Sequence, residues 1–202
     1  LAVEHFRMGP HGTMMLGDAG AEVIKVEPPE GEQGRTFTVR SRDGRDLAFL
    51  APSLSRNKKS ITLNLKTEQG LAIFYDLVKH ADIVLDNFSN GVTGRLKIDH
   101  AHLANINPRI ITCSISGFGN DGPDADRPAY DIVAQAMSGI MQTTGEPDGP
   151  PTLPPFALAE DGRATGPAVP VAASARTCTG LAVRSAGGRL LYCCVSIDAT
   201  AF

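Results

Sequence analysis

Four short stretches carry side chains that could hold a phosphorylated ligand. SRNKKS (55–60) sets Arg56, Lys58 and Lys59 just ahead of a β-branched run. GRTFTVRSRDGR (34–45) adds Arg35, Arg40, Arg42 and Arg45. Asp86-Asn87-Phe88 leads through a turn at Gly91 to Arg95. GFGNDGP (117–123) has three glycines and a proline, so backbone N–H groups there can come close to a ligand. Guanidinium and ammonium groups clustered on a mildly acidic chain suit a small ligand with several phosphates. Charge alone also describes a solvated basic loop. There is no GxGxxG with a βαβ unit behind it and no GxxxxGK[ST], which weakens nicotinamide-dinucleotide and P-loop readings.

The elements that must position these residues alternate in type. AEVIKVE (21–27) is a Val- and Ile-rich run stopped by Pro28-Pro29, which predicts a strand. SITLNL (60–65) and DIVLD (82–86) predict two more, and RIITCSIS (109–116) a fourth. Thr67 is placed to cap a helix through 79, with Leu71, Phe74, Leu77 and Val78 on its inner face. Short helices are expected at 91–97 and 99–105. A longer one is expected at 129–145, with Ile132, Ala136, Ile140 and Met141 inward and Gly145 as its C-cap. Strand alternating with helix predicts an α/β fold, a Rossmann-like parallel sheet with right-handed crossovers. Ligands bind beyond the carboxyl ends of such strands, here the segments just after 27, 65, 86 and 116.

Composition narrows the class. The chain has 202 residues, enough for one core or one and a half small domains. Its net charge of -3 excludes a strongly basic nucleic-acid footprint. With 5% aromatics and no Trp, base-stacking platforms are not expected. No run is long and apolar enough for a membrane span, and Glu4 and His5 stand where a signal peptide would be apolar. Leu1 is not a natural start, so the front is expected to be missing. Cys113, Cys178, Cys193 and Cys194 do not have disulfide-scaffold or zinc-ribbon spacing, which points to a reducing, cytoplasm-like compartment.

The order of the blocks carries a resemblance. GPHGTMMLGDAGAEVIKVEPP, RNKKSITLNLK, DIVLDNF with GVTGRL, INPRIITCSISGFGNDGP, RPAYDIVAQAMSG and TGEPDGPP together resemble the class III CoA-transferases, over roughly residues 8–155. The family includes formyl-CoA transferase, carnitine CoA-transferase and α-methylacyl-CoA racemase. The resemblance implies a Rossmann-like, CoA-binding N-terminal half and interlocked homodimers. It implies that Asn57 and Lys58 meet CoA phosphates, and that Asn87, Phe88 and Arg95 hold the nucleotide and pantetheine. Arg35 lies where the family often has a basic residue; Pro28 stands where some members place an Arg. The substrates implied are an acyl-CoA and a small carboxylic acid, with no metal or resident cofactor. Backbone N–H groups of the glycine loop at Gly117 and Gly119 would meet the ligand or a developing oxyanion.

The chemistry implied needs one carboxylate nucleophile that attacks the thioester and forms an acyl–enzyme anhydride. The family's Asp lies in a segment like P-x-A-D-x-x-x-G, which here is LPPFALAEDGRATG. Without a gap Glu160 takes that position; with one inserted residue Asp161 does. The 1–155 segment is thus read as a CoA-binding domain and 156–202 as an atypical tail. From Gly162 the text is rich in Ala, Gly, Arg and Pro, with Asp198 its only acidic residue. Out-of-frame translation of GC-rich DNA gives such a text, and so does a genuine divergent tail. Two alternatives stand beside the transferase. One is a racemase, which in this family uses a His where this chain has Tyr130, a poor base at neutral pH. The other is an inactive CoA-binding fragment.

Overall fold

The computed structural model describes residues 1–48, 50–138, 140–146, 148–153, 177–184 and 190–199, the last two as strand backbone only. The element order is β1 (Ala2–Val3), α1 (Met8–Asp18), β2 (Val23–Glu27), β3 (Thr38–Arg40), β4 (Asp46–Ala48), α2 (Leu50–Leu54) and β5 (Lys58–Thr62). Then follow α3 (Glu68–Val78), β6 (Ile83–Asp86), α4 (Val92–Leu96), α5 (His100–Leu103), β7 (Ile111–Ser116), α6 (Asp131–Ser138), β8 (Thr177–Arg184) and β9 (Leu190–Ala199). One-turn 3₁₀ segments lie at Gln33–Thr36 and Ile140–Thr143.

The main sheet runs β5-β2-β1-β6-β7-β9-β8. Its first five strands are parallel, as the alternation predicts. β9 pairs antiparallel with β7, and β8 with β9. These two strands fall in 156–202, read from sequence as an atypical tail, frameshifted or disordered, with no helical period. β3 and β4 form a separate antiparallel ribbon; β3 and the turn after it fall in 34–45, read from sequence as a basic loop, and β4 follows directly.

The core forms where strand faces meet α3 and the following turns. Phe74, Val78, Leu103 and Ile110 are fully buried there with Val3, Val26 and Val84. Thr67 caps α3 by accepting the Gly70 N–H at 3.1 Å.

Three differences from the sequence reading have physical causes. β1 is two residues long, too short to show a period, yet it is the middle strand of the parallel set. α1 reads MGPHGTMMLGD, a poor helix former on propensity. It forms because Pro10 sits in its first turn, where a missing N–H costs little, and because Gly9 lets it sit tight on the sheet. A Cβ at Gly9 would lie 2.9 Å from the Asn87 Oδ1 and 3.0 Å from the Glu4 Cβ. The third difference is α6, which is shorter than the expected 129–145 and turned over. Its buried residue is Gln135, bonded back to Asp131, while Ile132 is 51% exposed. Asp131 and Ser138, four residues before and three after Gln135, are half-buried, as are Val133 and Ala134.

Candidate functional site

The topology puts a switch point between β1 and β6. From β1 the chain builds β2 and β5 on one side, then crosses to β6 and β7 on the other. A crevice opens at the carboxyl ends of strands where the order reverses. Here it is closed at its base by reciprocal hydrogen bonds. The His5 N–H donates to the Asn87 Oδ1 at 2.9 Å, and the Asn87 Nδ2 donates to the His5 carbonyl at 2.9 Å. The Asn87 amide thus acts as one more ladder rung beyond the end of both strands. The Phe88 ring stacks on the His5 imidazole with centroids 5.4 Å apart. Burial pushes the His5 pKa down, opposed by the nearby Glu32 carboxylate.

Asp86, the last residue of β6, lies buried beneath this corner. Its Oδ2 receives the Ser114 hydroxyl at 2.5 Å and its Oδ1 the Phe88 N–H at 3.1 Å. Burial raises its pKa, while those two donors pull the other way. Beside it is an open cleft of about 210 Å³ lined by Asp86, Phe88, Asn90, Thr93, Asp99, Ser114 and Asn120, among others. Arg95 is exposed on α4, one turn past Gly91. The neighbouring Cys113 thiol is pushed up to about 11 by burial, so it is no nucleophile at neutral pH.

The glycine loop is a closed loop rather than an open cradle. A Cβ on Gly117 would lie 1.8 Å from that of Ala129, so the two ends of 117–129 touch. Arg127 lies over the Phe118 ring at 5.1 Å. Asn90 donates to Asp126 at 2.9 Å, tying the loop to the turn before α4. Gly119 takes a positive φ of 83°, a conformation that glycine allows cheaply.

On the other side of the switch point, charges are paired. Arg35 forks onto Glu27 at 2.5 and 2.6 Å, leaving its side chain 51% exposed at the rim. That guanidinium, chiefly, holds the Glu27 carboxyl down at about 2. Glu32 receives Lys25 at 3.1 Å and the Phe6 and Gly34 N–H groups at 3.1 and 2.7 Å.

The residues picked out from sequence divide between two edges. Arg35, Asn87, Phe88, Arg95, Gly117 and Gly119 follow the carboxyl ends of β2, β6 and β7. Asn57 and Lys58 stand at the amino end of β5, because β5 starts at Lys58 and runs parallel to β2. Asn57 donates to Asp18 at 2.8 Å, at the far end of α1. The Lys58 ammonium is buried under α1 and gives hydrogen bonds to Glu4 Oε1, the Pro10 carbonyl and Thr13 Oγ1 at 2.7, 2.8 and 2.7 Å. All three of its N–H bonds have acceptors inside the protein. Glu160 and Asp161 lie outside the described residues. No cluster of metal-ligating side chains occurs among the described residues, nor a helix long and apolar enough to cross a membrane. Sequence reading missed His5, Glu32 and Ser114 as parts of the crevice, and it used Asp86 only as a strand end. The alternation of polar Ser114 in an apolar run was the one available signal.

Comparison with known proteins matches this geometry to a family. The chain is 50% identical over 149 residues to an acetyl-CoA:oxalate CoA-transferase of Acetobacter aceti, covering 73% of this chain and 38% of that protein. It is 44% identical over 158 residues to a succinate–glutarate CoA-transferase of Agrobacterium fabrum, covering 75% and 39%. The chain therefore spans well under half the length of these relatives. Among solved structures, Rv3272 from M. tuberculosis superposes with a TM-score of 0.73 at 35% identity, covering 80% of this chain and 46% of that one. A CAIB/BAIF family protein from Brucella suis gives 0.70 at 42% identity, covering 78% and 43%. The sequence model of CoA-transferase family III matches residues 1–183. With a parallel sheet whose crevice opens at β1 and β6, and ordered blocks that match along most of its length, this chain belongs to CoA-transferase family III.

Proposed function

We propose that the chain is the CoA-binding half of an enzyme that moves CoA from an acyl-CoA donor to a small carboxylic acid. The switch-point crevice carries this reading: a pre-formed corner of His5, Asn87 and Phe88, flanked by the exposed guanidinium groups of Arg35 and Arg95. Phe88 offers an apolar wall to the pantetheine arm, and the two arginines offer opposite charge to the phosphates. Asn57 and Lys58 act from behind, by fixing α1 against the sheet. The relatives named for oxalate, succinate and glutarate support small dicarboxylates as acceptors.

In the reaction the carboxylate of Glu160 or Asp161 attacks the thioester carbonyl, forming a mixed anhydride and releasing CoA thiolate. The thiolate then attacks the enzyme-derived carbonyl, freeing the donor acid and leaving an enzyme–CoA thioester. The acceptor carboxylate attacks that thioester in turn, expelling CoA thiolate and forming a second anhydride; the thiolate then attacks the acceptor's carbonyl in it, giving the new acyl-CoA and freeing the enzyme carboxylate. No redox step or metal is required. The working enzyme is a homodimer acting on soluble substrates in the cytoplasm or an organelle matrix.

Calorimetry with CoA tests the binding half. Micromolar-to-millimolar binding that weakens with added salt is expected; a folded chain showing no heat with CoA overturns it. Hydroxylamine trapping with acyl-CoA, followed by mass analysis of the peptide holding 156–163, tests the nucleophile. A hydroxamate at Glu160 or Asp161 is the expected signature of an activated enzyme carboxyl, whether anhydride or thioester. Acyl transfer by this chain alone is expected to be far below that of a full-length relative, because much of the relatives' length has no counterpart in it.

A further inference from the structure

Asp86 is a buried carboxylate that the CoA-transfer chemistry above does not use. It ends β6 in the middle of the sheet, paired in register with Val3 of β1 on one side and Ser114 of β7 on the other. It is 5% exposed. A buried carboxylate is costly unless hydrogen bonds satisfy it. Two do, and they come from different elements: the Ser114 hydroxyl at 2.5 Å and the Phe88 N–H at 3.1 Å. The second is a turn that a side chain makes with the backbone two residues on, which fixes the direction in which Phe88 leaves the strand. Phe88 then stacks on His5, and the intervening Asn87 locks both polar groups of the His5 backbone. One carboxylate thus bears on three consecutive features of the crevice wall and also lines the adjoining cleft.

We propose that Asp86, anchored by Ser114, is a positioning residue of the CoA crevice, acting through the Asn87–Phe88 corner rather than by touching the ligand. The role rests on the function proposed above. An aspartate meets the need better than its amide, because two donors converge on it and a carboxylate supplies two acceptors. Ser114 is held at a matching register position, so its hydroxyl donates without moving the strand. Neither residue needs to reach the ligand: a displaced Phe88 ring is enough to spoil the wall it forms.

The test compares Asp86→Asn, Asp86→Ala and Ser114→Ala in the full 202-residue chain. Val78→Ala is the control. Val78 is fully buried in the core at the end of α3, which leads into the amino end of β6, so its loss lowers stability without removing a hydrogen bond of the corner. All are studied at a temperature where circular dichroism shows them folded. Two readouts are taken: the CoA dissociation constant, and the His5 ring proton shifts that report the Phe88 ring current. The expected result is about tenfold weaker CoA binding for Asp86→Ala and about threefold for Asp86→Asn and Ser114→Ala, with His5 resonances moved in the same order. Combining Asp86→Asn with Ser114→Ala should be no worse than Asp86→Asn alone, since both remove one contact. Val78→Ala should leave both readouts in place. Unchanged His5 shifts in Asp86→Ala, or equal loss of affinity in Val78→Ala, overturns the positioning role. A wild-type chain that binds no CoA overturns the proposed function instead, and the His5 shifts then still decide whether Asp86 sets the corner.

Discussion

The two ends of the parallel sheet satisfy their polar groups in different ways. At the carboxyl ends, side chains complete backbone hydrogen bonding: Asn87 serves His5, Asp86 serves Phe88, and Glu32 serves Phe6 and Gly34. At the amino ends, exposed ion pairs dominate. Arg56 meets Asp18 at 2.5 Å, and Lys59 meets Glu22, with both lysine and glutamate largely in solvent. Side-chain amides and carboxylates that hold backbone groups fix a shape, whereas exposed ion pairs add little beyond solubility. The difference locates the pre-formed surface at the carboxyl ends, even though the densest run of basic residues lies at the other.

Neighbouring lysines give the sharpest way to break that comparison. Lys58 and Lys59 point to opposite faces of β5. The side chain of Lys58 is 1% exposed beside a Glu4 side chain at 0%, while that of Lys59 is 72% exposed. Lys58→Met leaves the buried Glu4 without its counter-charge, with the Thr13 hydroxyl still donating to it, which costs about 3–5 kcal/mol. Lys59→Met should cost under about 0.5 kcal/mol. Pairing Glu4→Gln with Lys58→Met should recover a large part of the loss. Urea unfolding of the four chains checks this; equal midpoints for the two lysine variants would remove the distinction.

Acid should weaken the fold at the rim around Glu27 and favour it at the buried Asp86 of the corner. The Glu27 pKa falls from 4.5 to about 2, because of Arg35 first and then Ser60, Lys25 and the Glu32 N–H, against a burial penalty. A carboxyl lowered by folding adds stability that is fully present above its unfolded pKa. That stability is lost as pH falls from about 4.5 to about 2. With Arg35 half in solvent, screening reduces the effect to about 2 kcal/mol. The difference in unfolding free energy between wild type and Glu27→Gln should therefore be largest near neutral pH and vanish toward pH 2. Asp86 has the opposite sign, since its raised pKa favours the fold at lower pH, but it is common to both chains and cancels in the difference.

Much of this frame was legible in the sequence. Val23–Glu27, Ile83–Asp86 and Ile111–Ser116 fall inside runs whose β-branched content and flanking breakers mark strands, and Thr67 caps the helix it was expected to cap. β1 and α1 were not legible, for opposite reasons. Two residues cannot show a period, and a helix with three glycines and a proline is formed by tertiary contact against its own propensity. Placing Lys58 needed the strand's direction. Its position in RNKKS reads as the end of a loop facing ligand, but a parallel strand that begins there faces the other edge. The amide–backbone bridge between His5 and Asn87 spans 82 positions in sequence, and no local pattern announces it.

A smaller effect sharpens the contrast at single glycines. Gly117→Ala drives a methyl into Ala129, whose Cβ would be 1.8 Å away, so the neck of the 117–129 loop must open. Overpacking of this kind costs about 1–3 kcal/mol. Gly12→Ala on α1 meets nothing within 4 Å. It replaces glycine in a helix and should stabilise by about 0.5–1 kcal/mol. Thermal melts of the two variants should move in opposite directions.

The least of these effects concerns the tie between the glycine loop and the cleft. Asn90 gives Asp126 one exposed hydrogen bond at 2.9 Å, so Asn90→Ala should lower stability by no more than about 0.5 kcal/mol. Its consequence is expected to be read most directly in ligand exchange. Asn90 lines the cleft, and Asp126 belongs to a loop whose ends are already closed by Gly117 and Ala129, so the tie acts as a hinge stop on an otherwise intact loop. Stopped-flow measurement of CoA release should show a rate raised about two- to threefold in Asn90→Ala with the melting temperature unchanged, a loss of about half a kcal/mol of contact expressed in dissociation. An unchanged release rate would mean that the loop's position is fixed by its neck alone, and that the carboxyl edge owes its shape to the Asp86–Asn87–Phe88 corner without help from the loop above it.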